Sequence, residues 1–125
     1  MPFLLLGALS AMTGIGLGAF GAHGLKAVLS TEALAIYQTG VTYQVWHAFG
    51  LILIALLQQQ HSLSRLLAWA GRLMFGGIVL FSGSLYLLAL FNQKWLGMIT
   101  PIGGLSFLTA WLLIAMFAFK HRATL

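Results

Sequence analysis

Between Phe3 and Ala22 the chain runs without a single charged residue, and three further stretches, about 43–60, 64–91 and 100–119, are nearly as apolar. A helix rising ~1.5 Å per residue needs about 20 such residues to cross ~30 Å of hydrocarbon. Backbone amides in lipid must be satisfied within their own segment, so each run is expected to be an α-helix. The fold class that follows is all-α, an integral membrane four-helix bundle, and residues 1–125 form one transmembrane domain.

Composition excludes the soluble alternatives. Hydrophobic residues make up 61% of the chain and charged residues 6%, with six Lys plus Arg against one acid, Glu32. A water-exposed globular surface needs far more charge than that. The net charge of +5 does not point to nucleic acid, because the cations are scattered between apolar runs rather than gathered on one polar face. Lipid headgroups are the expected counter-charge, and the bilayer is the expected partner. No Lys or Arg precedes the first run, so it is expected to stay as a span and not to act as a cleaved leader.

The longest polar connection, from His23 to Thr42, holds Ser30 and Thr31 before Glu-Ala-Leu-Ala-Ile-Tyr, with Gly40 beyond. A capping hydroxyl, an acid in the first turn and a terminal glycine predict a short amphipathic helix in this first outer loop. Leu34, Tyr37 and Val41 would line its apolar face. Thr100 before Pro101 predicts an N-cap for the fourth span. Arg65, Arg72, Lys120 and Arg122 fall on one side of the spans, where they are expected to meet lipid headgroups, and Lys26 and Lys94 fall on the other. The positive-inside rule then puts both termini in the cytoplasm and Tyr37, Tyr43, Trp46, Tyr86 and Trp95 near the outer interface.

Small residues recur at helical spacing. The first run has Gly7, Ala11, Gly14, Gly18 and Gly21, the third Gly76, Gly77, Ser82, Gly83 and Ser84, and the fourth Gly103, Gly104 and Ser106. Since lipid tails solvate apolar side chains as well as a protein does, such stripes matter because they admit a neighbouring backbone. Gly14, Gly18, Gly21, Gly76, Gly83, Gly103 and Gly104 are therefore the expected helix-packing positions.

Polar residues inside spans are the default functional candidates. His23, Tyr43, Gln44, His47 and Tyr86 are expected to form one cluster at the outer side. That cluster admits three readings: a hydrogen-bonded clasp between helices, a titrating site for protons or ions, or ligation of a metal or haem by the two histidines. Two histidines with no cysteine or neighbouring carboxylate do not close a zinc site, so neither a metal nor a cofactor is expected. One acid in a loop cannot supply a catalytic triad or a carboxylate pair, so an enzyme is not expected either.

Four ordered motifs, Gly18-Ala-Phe-Gly-Ala-His-Gly-Leu25, Tyr43-Gln44 with His47-Ala48, Phe81-Ser-Gly-Ser-Leu-Tyr86 and Thr100-Pro-Ile-Gly-Gly-Leu-Ser106, span nearly the whole chain. Together they resemble the YgdD-like family, a domain-of-unknown-function group of small integral proteins of bacterial inner membranes with relatives in eukaryotes. The resemblance implies a four-span bundle and carries over no substrate, cofactor or catalytic residue. Many members have an acid where Gln38 stands and an arginine where Thr42 stands, and this chain lacks that charged pair. The expected function is a non-enzymatic helix-packing or interaction module, an accessory subunit for a membrane-protein partner or a homo-oligomer. The alternative is a small proton- or ion-linked transporter or channel using the outer histidine, glutamine and tyrosine cluster.

Overall fold

The computed structural model describes residues 2–122, which are helical almost throughout and contain no strand. The first and the last three residues of the expected 1–125 domain lie outside that range. Helix α1 spans Pro2–His23, its proline placed in a first turn where a missing N–H breaks no hydrogen bond. A short 3-10 turn, Leu25–Ala27, then buries Leu25 against Tyr37 and Ala89.

Helix α2 spans Thr31–Gln58 without interruption. Ser30 caps it by accepting from the Ala33 amide at 3.1 Å, and Glu32 sits in its first turn. The amphipathic helix expected in the first outer loop is not separate, because its residues are the opening turns of α2, and the helix that carries the second span begins well before Tyr43. Gly40 explains the difference. It was expected to end a helix, yet no described glycine has a positive φ, and Gly40 is buried where a Cβ would lie 2.8 Å from Tyr86 Cε1. It serves a close helix crossing.

The third span is composite. Helix α3, Arg65–Gly77, passes into a five-residue π segment, Ile78–Ser82, and on into α4, Gly83–Phe91. Ser64 caps α3 at the Leu67 amide, and α4 ends at Asn92, whose φ of 53° is the left-handed conformation that asparagine tolerates. After a 3-10 turn over Lys94–Met98, α5 spans Thr100–Lys120. Thr100 does not cap it. The 3-10 turn runs straight into the helix, and the Thr100 hydroxyl instead meets Ser84 Oγ at 2.6 Å.

Helix α2 is the centre of the bundle, with α1 along one side, α3 and α4 along another, and α5 packed on α3 and the π segment. The main core joins Leu51 and Ile54 of α2, Leu67, Ala70 and Met74 of α3, Ile78 of the π segment, and Phe107, Ala110 and Phe117 of α5. The outward faces carry Leu5, Met12, Ile15, Leu108 and Phe119 in the open, as helices long and apolar enough to cross a membrane would.

Candidate functional site

Gln44, only 5% exposed, binds three helices together. Its Nε2 donates to the Ser10 carbonyl and to Thr13 Oγ1 on α1, each at 2.9 Å, and its Oε1 accepts from the Tyr86 hydroxyl on α4 at 2.6 Å. Both amide hydrogens and the carbonyl are thus engaged, which also settles which way the carboxamide points. Two further bonds extend the seam. The Tyr37 hydroxyl donates to the Leu17 carbonyl at 2.5 Å, and Ser82 Oγ donates to the Gly40 carbonyl at 2.7 Å. Ser10 and Thr13 were not singled out from the sequence, and Tyr37 and Ser82 were expected on an apolar face and in a small-residue stripe rather than in this seam. The signal was present in Tyr37, Gly40 and Gln44, which recur at i, i+3 and i+7 on the buried face of α2.

The five residues expected to cluster fall into three places. Gln44 and Tyr86 form the seam just described. Tyr43 and His47 lie on the side of α2 that faces the π segment and α5, where the His47 ring stacks on Phe107 with centroids 3.5 Å apart and planes 10° apart. His47 Nδ1 lies 2.7 Å from the Tyr43 carbonyl, and Tyr43 packs on Phe81 with centroids 4.7 Å apart. A shallow groove with a cavity volume of about 670 Å³ lies beside them, open toward the outward face and lined by Tyr43, Trp46, Phe81, Gly104, Leu108 and Trp111. His23 is exposed at the end of α1 and joins neither group. Among the described residues, no three of His, Asp or Glu come together in a way that would hold a metal ion.

The small residues also divide. Gly14, Gly18 and Gly21 face α2, where an added Cβ would lie 3.0 Å from Val45, 3.1 Å from Val41 and 2.5 Å from Tyr37. Gly103 abuts the backbone of Phe81. Gly76 and Gly104 have room for a Cβ at ordinary contact, and Gly83 faces open space, so the small size of these three is not what brings the helices together. Gly7, Gly40, Gly50, Gly71 and Gly77 are tight positions: a Cβ there would crowd Ile52, Tyr86, Met74, Phe3 and Phe107 in turn.

The four cations expected at headgroups do not act alike. Arg65 and Lys120 line one cavity of about 560 Å³ with His61 and His121, whose rings meet at 4.8 Å. Arg72 lies over the Trp69 ring, and Arg122 turns back on its own helix, donating to the Phe119 carbonyl at 2.8 Å. The pairing of His61 with His121 joins residues sixty positions apart (121 − 61), which no local spacing reveals.

Four helices of spanning length, tied to one another by buried hydrogen bonds and sheathed in apolar side chains, define a multi-pass integral membrane protein. The chain belongs to the family described as "Protein of unknown function (DUF423)", whose model matches residues 17–104. That range takes in the first three motifs of the YgdD-like resemblance whole and most of the fourth. A UPF0382 membrane protein of Staphylococcus haemolyticus is 48% identical over 118 residues, covering 94% of this chain and 95% of its own. The UPF0382 membrane protein YwdK of Bacillus subtilis is 46% identical over 119 residues, covering 95% of this chain and 97% of its own. No solved structure matches the chain.

Proposed function

We propose that the protein is a non-enzymatic packing and interaction module of the bacterial inner (plasma) membrane, an accessory subunit for another membrane protein or for a second copy of itself. One observation carries this reading. Among the described residues, no fully enclosed side-chain nitrogen or oxygen lacks a hydrogen-bond partner, and the buried Gln44, Ser82 and Ser84 spend their bonds on joining helices. A proton or ion relay needs groups that exchange partners, and Glu32, the one acid, stands exposed in the first turn of α2. The conduit alternative is further weakened by the isolation of His23 from Gln44 and His47.

The cytoplasmic placement of both termini belongs to the same proposal. It is supported by Arg65, Arg72, Lys120 and Arg122 on the side where α1 begins and α5 ends, against Lys26 and Lys94 on the opposite side. Purification in a gentle detergent from native expression levels tests the functional reading. A companion at fixed stoichiometry, or a defined oligomer, is expected. A lone monomer with no companion, together with a liposome proton flux lost in His47→Ala, would overturn it.

A further inference from the structure

We propose that the cavity beside His47 binds a membrane-soluble amphiphile whose head is a hydroxyl on a flat ring, a phenol or hydroquinone carried on an apolar tail. The inference goes beyond the interaction reading and stands without it.

The chemistry begins with the tautomer. A backbone carbonyl only accepts, so the 2.7 Å contact between His47 Nδ1 and the Tyr43 oxygen assigns the ring hydrogen to Nδ1. In the neutral ring, Nε2 is then a pure acceptor. His47 is 5% exposed, and among the described residues no donor meets Nε2. No fully enclosed nitrogen is left unpaired, so Nε2 keeps its access through the cavity that the ring lines. An unmet acceptor amid apolar walls is costly, and a ligand that brings one donor removes the cost.

The walls select the rest of the ligand. Tyr43, Trp46, Phe81 and Trp111 bring aromatic rings to the lining, a surface suited to a flat ring. Acyl chains would wet the same walls but carry no donor for Nε2. The backbone is also shaped around this cavity: the π segment carries Phe81 into the wall, Gly103 lets α5 close on the Phe81 backbone, and Gly104 leaves the floor clear. Single π turns inside spanning helices recur at binding sites.

The test is a titration of the purified protein in lipid nanodiscs, read by tryptophan fluorescence, since Trp46 and Trp111 line the cavity. The probes are 4-nonylphenol, its methyl ether and nonylbenzene, which share the ring and tail and differ in the donor. Saturable binding of the phenol, about tenfold tighter than the ether, is expected from one buried hydrogen bond. His47→Phe keeps the stack on Phe107 and removes Nε2, so it should bring the two affinities together. Gly104→Leu, which has room for its Cβ, should fill the cavity and weaken both. Equal affinity of phenol and ether for the parent protein, or a preference that survives His47→Phe, would overturn the proposal. Should His47→Phe fail to fold, undiminished phenol binding by Gly104→Leu would overturn it as well.

Discussion

Helices α1 and α5 are the two flanks of the bundle, nearly equal in length, yet they are attached in opposite ways. The buried residues of α1 are Gly7, Ser10, Gly14 and Gly21, so it brings no large side chain into the fully enclosed interior. It is held by close backbone approach and by the bonds that Gln44 and Tyr37 send to it from α2. Helix α5 buries Phe107, Ala110 and Phe117 in a core of Leu, Ile and Met side chains, and its polar links are limited to single hydroxyl contacts such as Ser106 to the Leu73 carbonyl at 2.6 Å. Apolar burial by itself adds little in lipid, where the separated helix is already solvated by hydrocarbon. The α1 seam therefore depends on the absence of side chains and on hydrogen bonds, whereas the α5 seam depends on how well large side chains fill space.

The comparison breaks most readily at Gly7. A Cβ there would lie 2.9 Å from the Ala48 carbonyl oxygen and 2.8 Å from Ile52 Cγ1, and a backbone oxygen cannot swing aside. Gly7→Leu should cost about 3 kcal/mol and detach α1 first. Unfolding in mixed SDS micelles measures it, and an unchanged midpoint would mean that close approach does not hold α1. Phe117→Ala, at a side chain 1% exposed, should cost about 2 kcal/mol through the cavity it leaves, below the range seen in water because the transfer of the ring out of lipid contributes nothing. A loss as large as that seen in soluble cores would show that burial drives this seam after all.

Gln44→Leu removes three hydrogen bonds and should cost about 1 to 2 kcal/mol, with the loss falling on α1 and α4 and leaving α5 in place. Cysteine crosslinking between α1 and α2 and between α3 and α5 separates the two seams, and equal loosening of both would remove the distinction between them. The smallest effect is expected at Gly83, which has nothing within 4 Å of an added Cβ. Gly83→Ala should stabilise by about 0.5 kcal/mol through helix propensity alone, and any loss of stability would show that its small size serves a contact.

The spans were legible because their length and lack of charge are one-dimensional properties. The facing of Gly14, Gly18 and Gly21 toward α2 could also be anticipated, since their spacing confines them to one stripe of α1. The candidate site was legible only in part. Gln44 and His47 are three residues apart and were expected to converge, yet the boundary between the α1 and α5 seams falls between them. Gly40 looked like a stop signal for the same reason that it is needed mid-helix, its missing side chain, and only Tyr86 packed against it decides between the two. The π segment has no sequence signature beyond the small residues around it, and Gly83 among those turned out to touch nothing.

From the order of residues alone came the number of apolar spans, the solvent that surrounds them and, outside the π segment, the angular position of side chains on their own helices, because charge density and a period of 3.6 act locally. Which neighbour occupies each angle came only with the assembled bundle. That choice rests on steric fit and hydrogen-bond geometry between segments far apart in the chain. In hydrocarbon those short-range terms are nearly all that distinguishes one arrangement of apolar helices from another.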